Sequence, residues 1–123
     1  MDAFSWVEYF LGSARGAKVR SLLARTDTDV LTLDSNLAEV KGWCLREELR
    51  FDGYHAVIRD RSAIVPLEQR DWLRAIEIRH ELRRSRPTFG LIDGLLLAAR
   101  ERTKGLVVSG DPHFRGLPRV LAV

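Results

Sequence analysis

Short strand-forming segments alternate with longer helical segments along this chain, and few folds accommodate that alternation. The predicted strands are residues 29–33, 63–66, 106–109 and 119–123. The predicted helices are residues 5–10, 19–25, 36–49, 54–61, 68–84 and 88–103. This order predicts an α/β fold, a three-layer sandwich in which a small parallel sheet lies between helices. Ligands of such sheets bind beyond the carboxyl ends of the strands, so we expect functional residues there.

Size and composition narrow the possible classes of protein. The 123 residues, 46% hydrophobic and 30% charged, predict a single soluble domain over residues 1–123. No apolar run approaches the roughly 18 residues of a membrane helix. The amino terminus has no basic segment followed by an apolar one, so no secretory signal is predicted. The single cysteine, Cys44, cannot form an internal disulfide, which favours a cytoplasmic location.

The charge balance slightly favours a nucleic-acid partner. Arginine supplies 17 of the 20 basic residues and the net charge is +3. The planar guanidinium group suits phosphate. The sequence contains no motif of serine hydrolases, P-loop proteins or dinucleotide-binding enzymes, and its three histidines lack zinc-binding spacing. These function classes are therefore not supported.

Asp93 is the only polar side chain in the 11-residue segment 89–99. A helix that is apolar on nearly all sides is buried, and an unpaired carboxylate there would cost several kcal/mol. An alternative role is contact with the helix dipole from the first turn. The apolar surroundings favour a functional carboxylate that is paired or bound to a metal.

Three further carboxylates occupy positions of interest. Asp111 directly follows the predicted strand 106–109, where it could also cap a helix. Glu39 lies three residues after Asn36, and by itself this spacing favours a capping box. Asp2 is close to the terminus, and it becomes a candidate functional residue only because of the other three acids.

Carboxylates that converge on one site repel one another and raise one another's pKa values. A hard divalent cation removes this repulsion, and Mg²⁺ or Mn²⁺ prefers carboxylate and water oxygens. Water bound to such an ion can attack a phosphodiester. We therefore expect the four acids to meet in one pocket that holds a cation.

Four segments of the chain together resemble the acidic blocks of PIN-domain nucleases, and most closely those of VapC-type toxins of toxin–antitoxin pairs. The resemblance extends over the whole chain, with the segments in order and at similar spacing. The segments are DAFSWVEYF (2–10), LAEV (37–40), IDGLLLAA (92–99) and VVSGDPHF (107–114). The last two are the most diagnostic.

The resemblance implies a small Mg²⁺- or Mn²⁺-dependent endoribonuclease that hydrolyses RNA with metal-activated water. It also implies a homodimer and an antitoxin partner whose tail enters the acidic cleft. The implied catalytic and metal-binding residues are Asp2, Glu39, Asp93 and Asp111. Ser109 matches a hydroxyl that contacts the fourth acid or a bound water. Phe114 matches an aromatic side chain that packs under the loop.

The sequence departs from the family at its start. In the family the first acid ends a central strand of several residues, whereas only Met1 precedes Asp2 here. A missing central strand removes most of two ladders of hydrogen bonds, so we expect a truncated first strand and a split sheet. Our two hypotheses are that the natural start lies upstream or that other residues fill the slot.

The roles of several other residues are predicted from their position. Arg83, Arg84 and Arg86 precede the Asp93 helix, and such a stretch fits RNA phosphates or a solvated loop equally well. His113 is expected at the surface of the turn after Asp111. The three tryptophans are expected in the core or in an interface; they are Trp6, Trp43 and Trp72.

The sequence leaves two alternative functions open. One is a non-catalytic subunit that uses the PIN fold for binding only. The other, less favoured, is a phosphotransfer module with Asp2 or Asp111 as its nucleophile. The sequence lacks the acid-pair pattern of haloacid-dehalogenase phosphatases and the strand-end lysine of receiver domains.

Overall fold

A computed structural model describes all of residues 1–123 and contains six α-helices and four short strands. The helices are α1 Ala3–Leu11, α2 Ala14–Leu23, α3 Asp34–Arg46, α4 Phe51–Arg61, α5 Gln69–Leu82 and α6 Leu91–Thr103. The strands are β1 Leu31–Leu33, β2 Ala63–Val65, β3 Val107–Ser109 and β4 Val120–Ala122, and a 3₁₀-helix covers Pro112–Phe114. The predicted alternation of strands and helices is confirmed. No helix is both long enough and apolar enough to cross a membrane.

The strands form two separate parallel pairs instead of one sheet. Strand β1 pairs with β2, and β3 pairs with β4. Met1 and Asp2 lie between the two pairs: the Met1 ammonium donates to Leu31 O at 2.7 Å, and Asp2 N–H donates to Val108 O at 3.1 Å. The sheet is therefore parallel, as predicted, and split at its first strand, as expected.

An apolar groove separates β1 from β3 beyond Met1. Its cavity has a volume of about 250 Å³. Val107 and Ser109 bond to β4, and successive residues of a strand direct their backbone groups to opposite sides. The N–H and C=O of Val108 therefore point into the groove, where Asp2 uses only the carbonyl.

Helix α6 forms the centre of the larger of two hydrophobic clusters. Leu95 is fully buried, and its apolar neighbours on every side of the helix are buried as well. At Gly94 an added Cβ would lie 2.7 Å from Ala75 O of helix α5, so only glycine permits this approach of the two helices. This close packing fixes the position of Asp93, the neighbour of Gly94 in the chain.

The first four helices, α1 to α4, all begin earlier than the sequence predicted. Helix α1 was predicted to start at Ser5, but Asp2 is its N-cap: the Asp2 side chain accepts from Ser5 N–H. Helix α3 starts at Asp34. The capping-box interpretation of Asn36 and Glu39 was therefore wrong, because both residues already lie inside the helix.

The tryptophans differ in their exposure. Trp6 is fully buried and its Nε1–H donates to Thr32 Oγ1 at 3.0 Å, and Trp43 is also buried. Trp72 is 44% exposed, so it does not lie in the core, and its place in an interface stays a prediction. The buried positions of α5 include Asp71 and Ala75, and Trp72 falls beside that stripe.

Candidate active site

The side chains of all four predicted acids line one cavity of about 140 Å³. They reach it from four separate parts of the chain: the residue before α1, the middle of α3, the first turn of α6 and the turn after β3. These acids are Asp2, Glu39, Asp93 and Asp111. The fold thus brings together residues far apart in sequence, and their function as metal ligands stays a prediction.

Asp2 is a buried carboxylate with a defined structural role. It is 5% exposed, and its Oδ1 accepts from Ser5 N–H at 2.8 Å. Burial raises the pKa of the Asp2 carboxyl, and hydrogen bonding to Ser109 and Ser5 acts in the opposite direction. Asp2 is therefore not a flexible terminal residue.

Asp93 caps its helix and faces the cavity at the same time. Its Oδ2 accepts from Gly90 N–H at 3.2 Å and lies 3.1 Å from Nδ1 of His113. Burial raises the pKa of the Asp93 carboxyl, the charge of Asp111 raises it further, and the nearby His113 opposes the change. The capping role and the functional position are thus compatible.

Asp111 also combines a cap with a place in the cavity. Its Oδ1 accepts from His113 N–H at 2.7 Å and so caps the 3₁₀-helix that begins at Pro112. Its own N–H donates to Ser109 Oγ at 2.9 Å. Ser109 is buried and contacts the loop of the fourth acid, as the resemblance implied. Phe114 is buried beneath this loop against Phe89.

His113 is a site residue that the sequence analysis missed. Its Nδ1 lies 3.1 Å from Asp93 Oδ2 and 3.5 Å from Asp111 Oδ1, and its Nε2 lies 2.9 Å from Thr88 Oγ1. The ring therefore lies against two of the four acids, and it is not a free surface group of the turn. The available signal was its position two residues after a capping Asp, which brings the ring back over the carboxylate.

Glu39 is held in place by its neighbour Asn36. The Asn36 Nδ2 group donates to Glu39 Oε2 at 3.0 Å, while the buried Asn36 Oδ1 has no hydrogen-bond partner. Burial raises the pKa of the Glu39 carboxyl, and the charges of the other three acids raise it further. The four carboxylates therefore act on one another electrostatically.

The residues present fit a hard divalent cation. No three of these side chains are arranged closely enough to hold an ion as they stand. The acids accept from backbone N–H groups and from Asn36, and Asp93 also lies against the His113 ring. Four carboxylates and the unpartnered Asn36 Oδ1 supply only oxygen donors, which Mg²⁺ and Mn²⁺ prefer.

The basic stretch before α6 has structural contacts. Arg83 Nε donates to Phe89 O at 3.0 Å. Arg86 donates through Nε to His113 O at 3.0 Å and through Nη2 to Arg115 O at 2.6 Å. Arg84 is exposed. These bonds join the start of α6 to the loop of the fourth acid, and a role of the three arginines in RNA binding stays a prediction.

Parallel strand pairs between helices, with carboxylates gathered near the carboxyl ends of β1 and β3, define a small α/β protein with an acidic site. Residues 1–120 match the sequence model of the PIN domain. The chain belongs to the PIN domain family, whose members are generally nucleases.

A solved structure shows the same fold. It is described as a toxin–antitoxin complex from Klebsiella pneumoniae, and it superposes with a TM-score of 0.73. The two chains are 16% identical, and the match covers 98% of this chain and 93% of the other. No curated protein matches the chain in sequence.

Proposed function

We propose that this protein is a metal-dependent endoribonuclease and the toxin of a toxin–antitoxin pair. The observation that carries the proposal is the single cavity lined by Asp2, Glu39, Asp93 and Asp111. Membership of a family of nucleases supports hydrolysis of a phosphodiester, and the arginine-rich composition suits a polyanionic substrate.

In this proposal the four acids bind Mg²⁺ or Mn²⁺. When bound, the ion would supply an activated water and would stabilise the negative charge that builds on the phosphate. Ser109 orients Asp111 through the Asp111 N–H bond, and Asn36 orients Glu39. The hydrophobic packing of α6 holds Asp93 in its place, so the ligands come from fixed elements of the fold.

The proposal includes the partners of such a toxin. The structural neighbour is a toxin–antitoxin complex and aligns with nearly the whole chain, which supports an antitoxin partner. The antitoxin tail would enter the acidic cleft. We also propose that the protein is a homodimer of single-domain chains and that it acts in the cytoplasm.

The replacement Asp93→Asn tests the nuclease proposal. Asparagine keeps the shape and can still accept from Gly90 N–H, whereas the negative charge is lost. We expect Mg²⁺-dependent cleavage of RNA to fall by a factor of about 100 or more, because one ligand charge is missing. The matched control is Asp60→Asn, which removes an exposed carboxylate from α4 outside the cavity and should leave the rate unchanged.

Three results would contradict the proposal. Cleavage by Asp93→Asn at the wild-type rate would show that this acid has no catalytic role. Absence of heat in calorimetric titration with millimolar Mn²⁺ would favour the non-catalytic binding subunit. A covalent beryllofluoride adduct at Asp2 or Asp111 would favour phosphotransfer. A parallel assay with single-stranded DNA tests the preference for RNA.

A further inference from the structure

The corner between α1 and α2 is fixed by a very close backbone approach. A Cβ added at Gly16 would lie 2.1 Å from Glu8 O, so only glycine permits this packing. Ser13 Oγ accepts from Gly16 N–H at 2.9 Å and donates to the Glu8 carboxylate, with Oγ 2.5 Å from Glu8 Oε2. The first turn of α2, which carries Arg15, therefore has a defined position against α1.

The ring of Phe4 connects this corner to the acidic cavity. Phe4 lines the cavity together with the four acids. A Cβ added at Gly110 would lie 2.5 Å from Phe4 Cε1, so the ring packs directly on the backbone beside Asp111. The guanidinium of Arg15 lies over the same Phe4 ring, with its Cζ 5.4 Å from the ring centroid.

Arg15 is held by an aromatic ring and has no carboxylate partner. It forms no ion pair and its side chain makes no hydrogen bond, and it is exposed. Other guanidinium groups have their donors engaged. Those of Arg25, Arg70, Arg74 and Arg102 are bonded to carboxylates, and those of Arg83, Arg86, Arg100 and Arg119 donate to backbone carbonyls. A cation–π contact orients a guanidinium group and leaves its N–H donors free.

The negative charge of the acidic cavity would hinder the binding of RNA by the proposed nuclease. The carboxylates repel the phosphates that must approach them, and a bound cation neutralises only part of this charge. A fixed guanidinium at the edge of the cavity would offset the repulsion and bind a phosphate with paired donors. Arg83 and Arg86 are less suited to this role because they donate to backbone carbonyls.

We propose that Arg15 is a phosphate-binding residue for the RNA strand, and that the Phe4 ring holds its guanidinium beside the acidic cavity. The bound group is a backbone phosphate next to the one that is cleaved. This inference rests on the proposed nuclease function, and it adds a substrate contact that lies outside the four acids.

The test compares Arg15→Ala with Arg20→Ala, which removes the same charge from an exposed position near the end of α2. With a single-stranded RNA substrate we expect KM to rise about tenfold for Arg15→Ala and kcat to stay close to wild type, because a charged hydrogen bond to substrate is lost. The slope of log affinity against log salt should fall by about 0.7, the value for one phosphate contact on a single strand. Arg20→Ala should change neither quantity appreciably.

Two further variants test whether Arg15 acts through a specific contact with phosphate or only through its positive charge. Arg15→Lys keeps the charge and should recover the salt slope while KM recovers only in part, because ammonium lacks the planar fork. Phe4→Leu removes the support and should raise KM although Arg15 is still present. Equal KM values for Arg15→Ala and Arg20→Ala would overturn the proposal, and so would loss of antitoxin affinity without any change in RNA affinity.

A binding assay keeps this result independent of the nuclease proposal. Fluorescein-labelled RNA is titrated with Asp93→Asn protein, with and without Arg15→Ala, in the absence of divalent metal. A loss of affinity that depends on Arg15 would support this proposal even if the wild-type protein cleaves no RNA. Wild-type cleavage together with unchanged affinity would overturn this proposal and leave the nuclease in place.

Discussion

Acetylation of the Met1 amine is expected to stabilise the protein in a pH-dependent way. The amine is buried, and burial lowers its pKa from 8.0 to about 6, although the charge of Asp2 acts in the opposite direction. Holding a positive charge at this place is therefore unfavourable. Acetylation removes the charge and keeps the N–H that donates to Leu31 O.

The magnitude follows from the difference between the two pKa values. The unfolded chain binds more protons than the native one between pH 6 and pH 8, so stability rises with pH in that window. The charge costs about 3 kcal/mol below pH 6, about half as much at pH 7 and almost nothing above pH 8. The acetyl carbonyl would also face the free N–H of Val108 in the register that Asp2 defines, which adds about 1 kcal/mol.

The measurement is urea denaturation of acetylated and free-amine protein at several pH values from 5.5 to 9. The titrating groups other than Asp2 are far less affected by the amine, so their contributions largely cancel in the difference, whereas the Asp2 carboxyl interacts directly with the free amine. We expect the difference in the free energy of unfolding to be largest at pH 5.5 and to shrink to about 1 kcal/mol at pH 9. A difference that is constant with pH, or that favours the free amine, would refute the reasoning.

Two other predictions follow from the cavity and from the helix packing. Because the pKa values of Asp2, Glu39 and Asp93 are raised, the native state holds their protons more tightly than the unfolded chain, and stability should fall as pH rises through the range between the two. Mn²⁺ should therefore raise the melting temperature more at pH 7.5 than at pH 5. The replacement Glu39→Gln should stabilise the metal-free protein and should reduce the rise in melting temperature that Mn²⁺ causes. An equal rise at both pH values would contradict a shared carboxylate site. Gly94→Ala should destabilise the protein by about 1–3 kcal/mol because its Cβ would lie 2.7 Å from Ala75 O. The control is Gly42→Ala, at a helical position with open space around it, which should stabilise the protein by about 0.5–1 kcal/mol in the same denaturation assay. A similar loss of unfolding free energy in both variants would show that helix packing is not the cause.

The sequence predicted the pattern of elements well because that pattern depends on local properties. Strands β2 and β3 and helix α6 are marked by β-branched runs and an apolar segment, and each was found within about three residues of its predicted bounds. The helix starts were less accurate. At Asp34 and Ala3 the helix begins before the residue that looked like its cap, and only tertiary contacts decide which polar residue accepts the first free N–H.

The sequence predicted the four acids of the candidate site, and the resemblance added Ser109, whereas His113 was missed. Asp93 and Asp111 stood out because an apolar run and a strand end surround them. The contact of His113 with Asp93 depends on the fold of a turn, and the contact of Arg15 with Phe4 depends on the approach of α1 to α2, so neither contact was predicted.

Three of the four acids serve the backbone as well as the cavity, because Asp2, Asp93 and Asp111 each accept an N–H at the start of a helical segment. Partial positive charge at these helix ends offsets some of the mutual repulsion, so the apo protein can fold with its acids already assembled. Alanine substitutions would not distinguish the capping role from the role in the cavity, because alanine removes both the cap and the charge. Asparagine separates them, since it still accepts the N–H. Asparagine at each of these three positions is therefore the replacement that tests the proposed role of the acids while it keeps the caps.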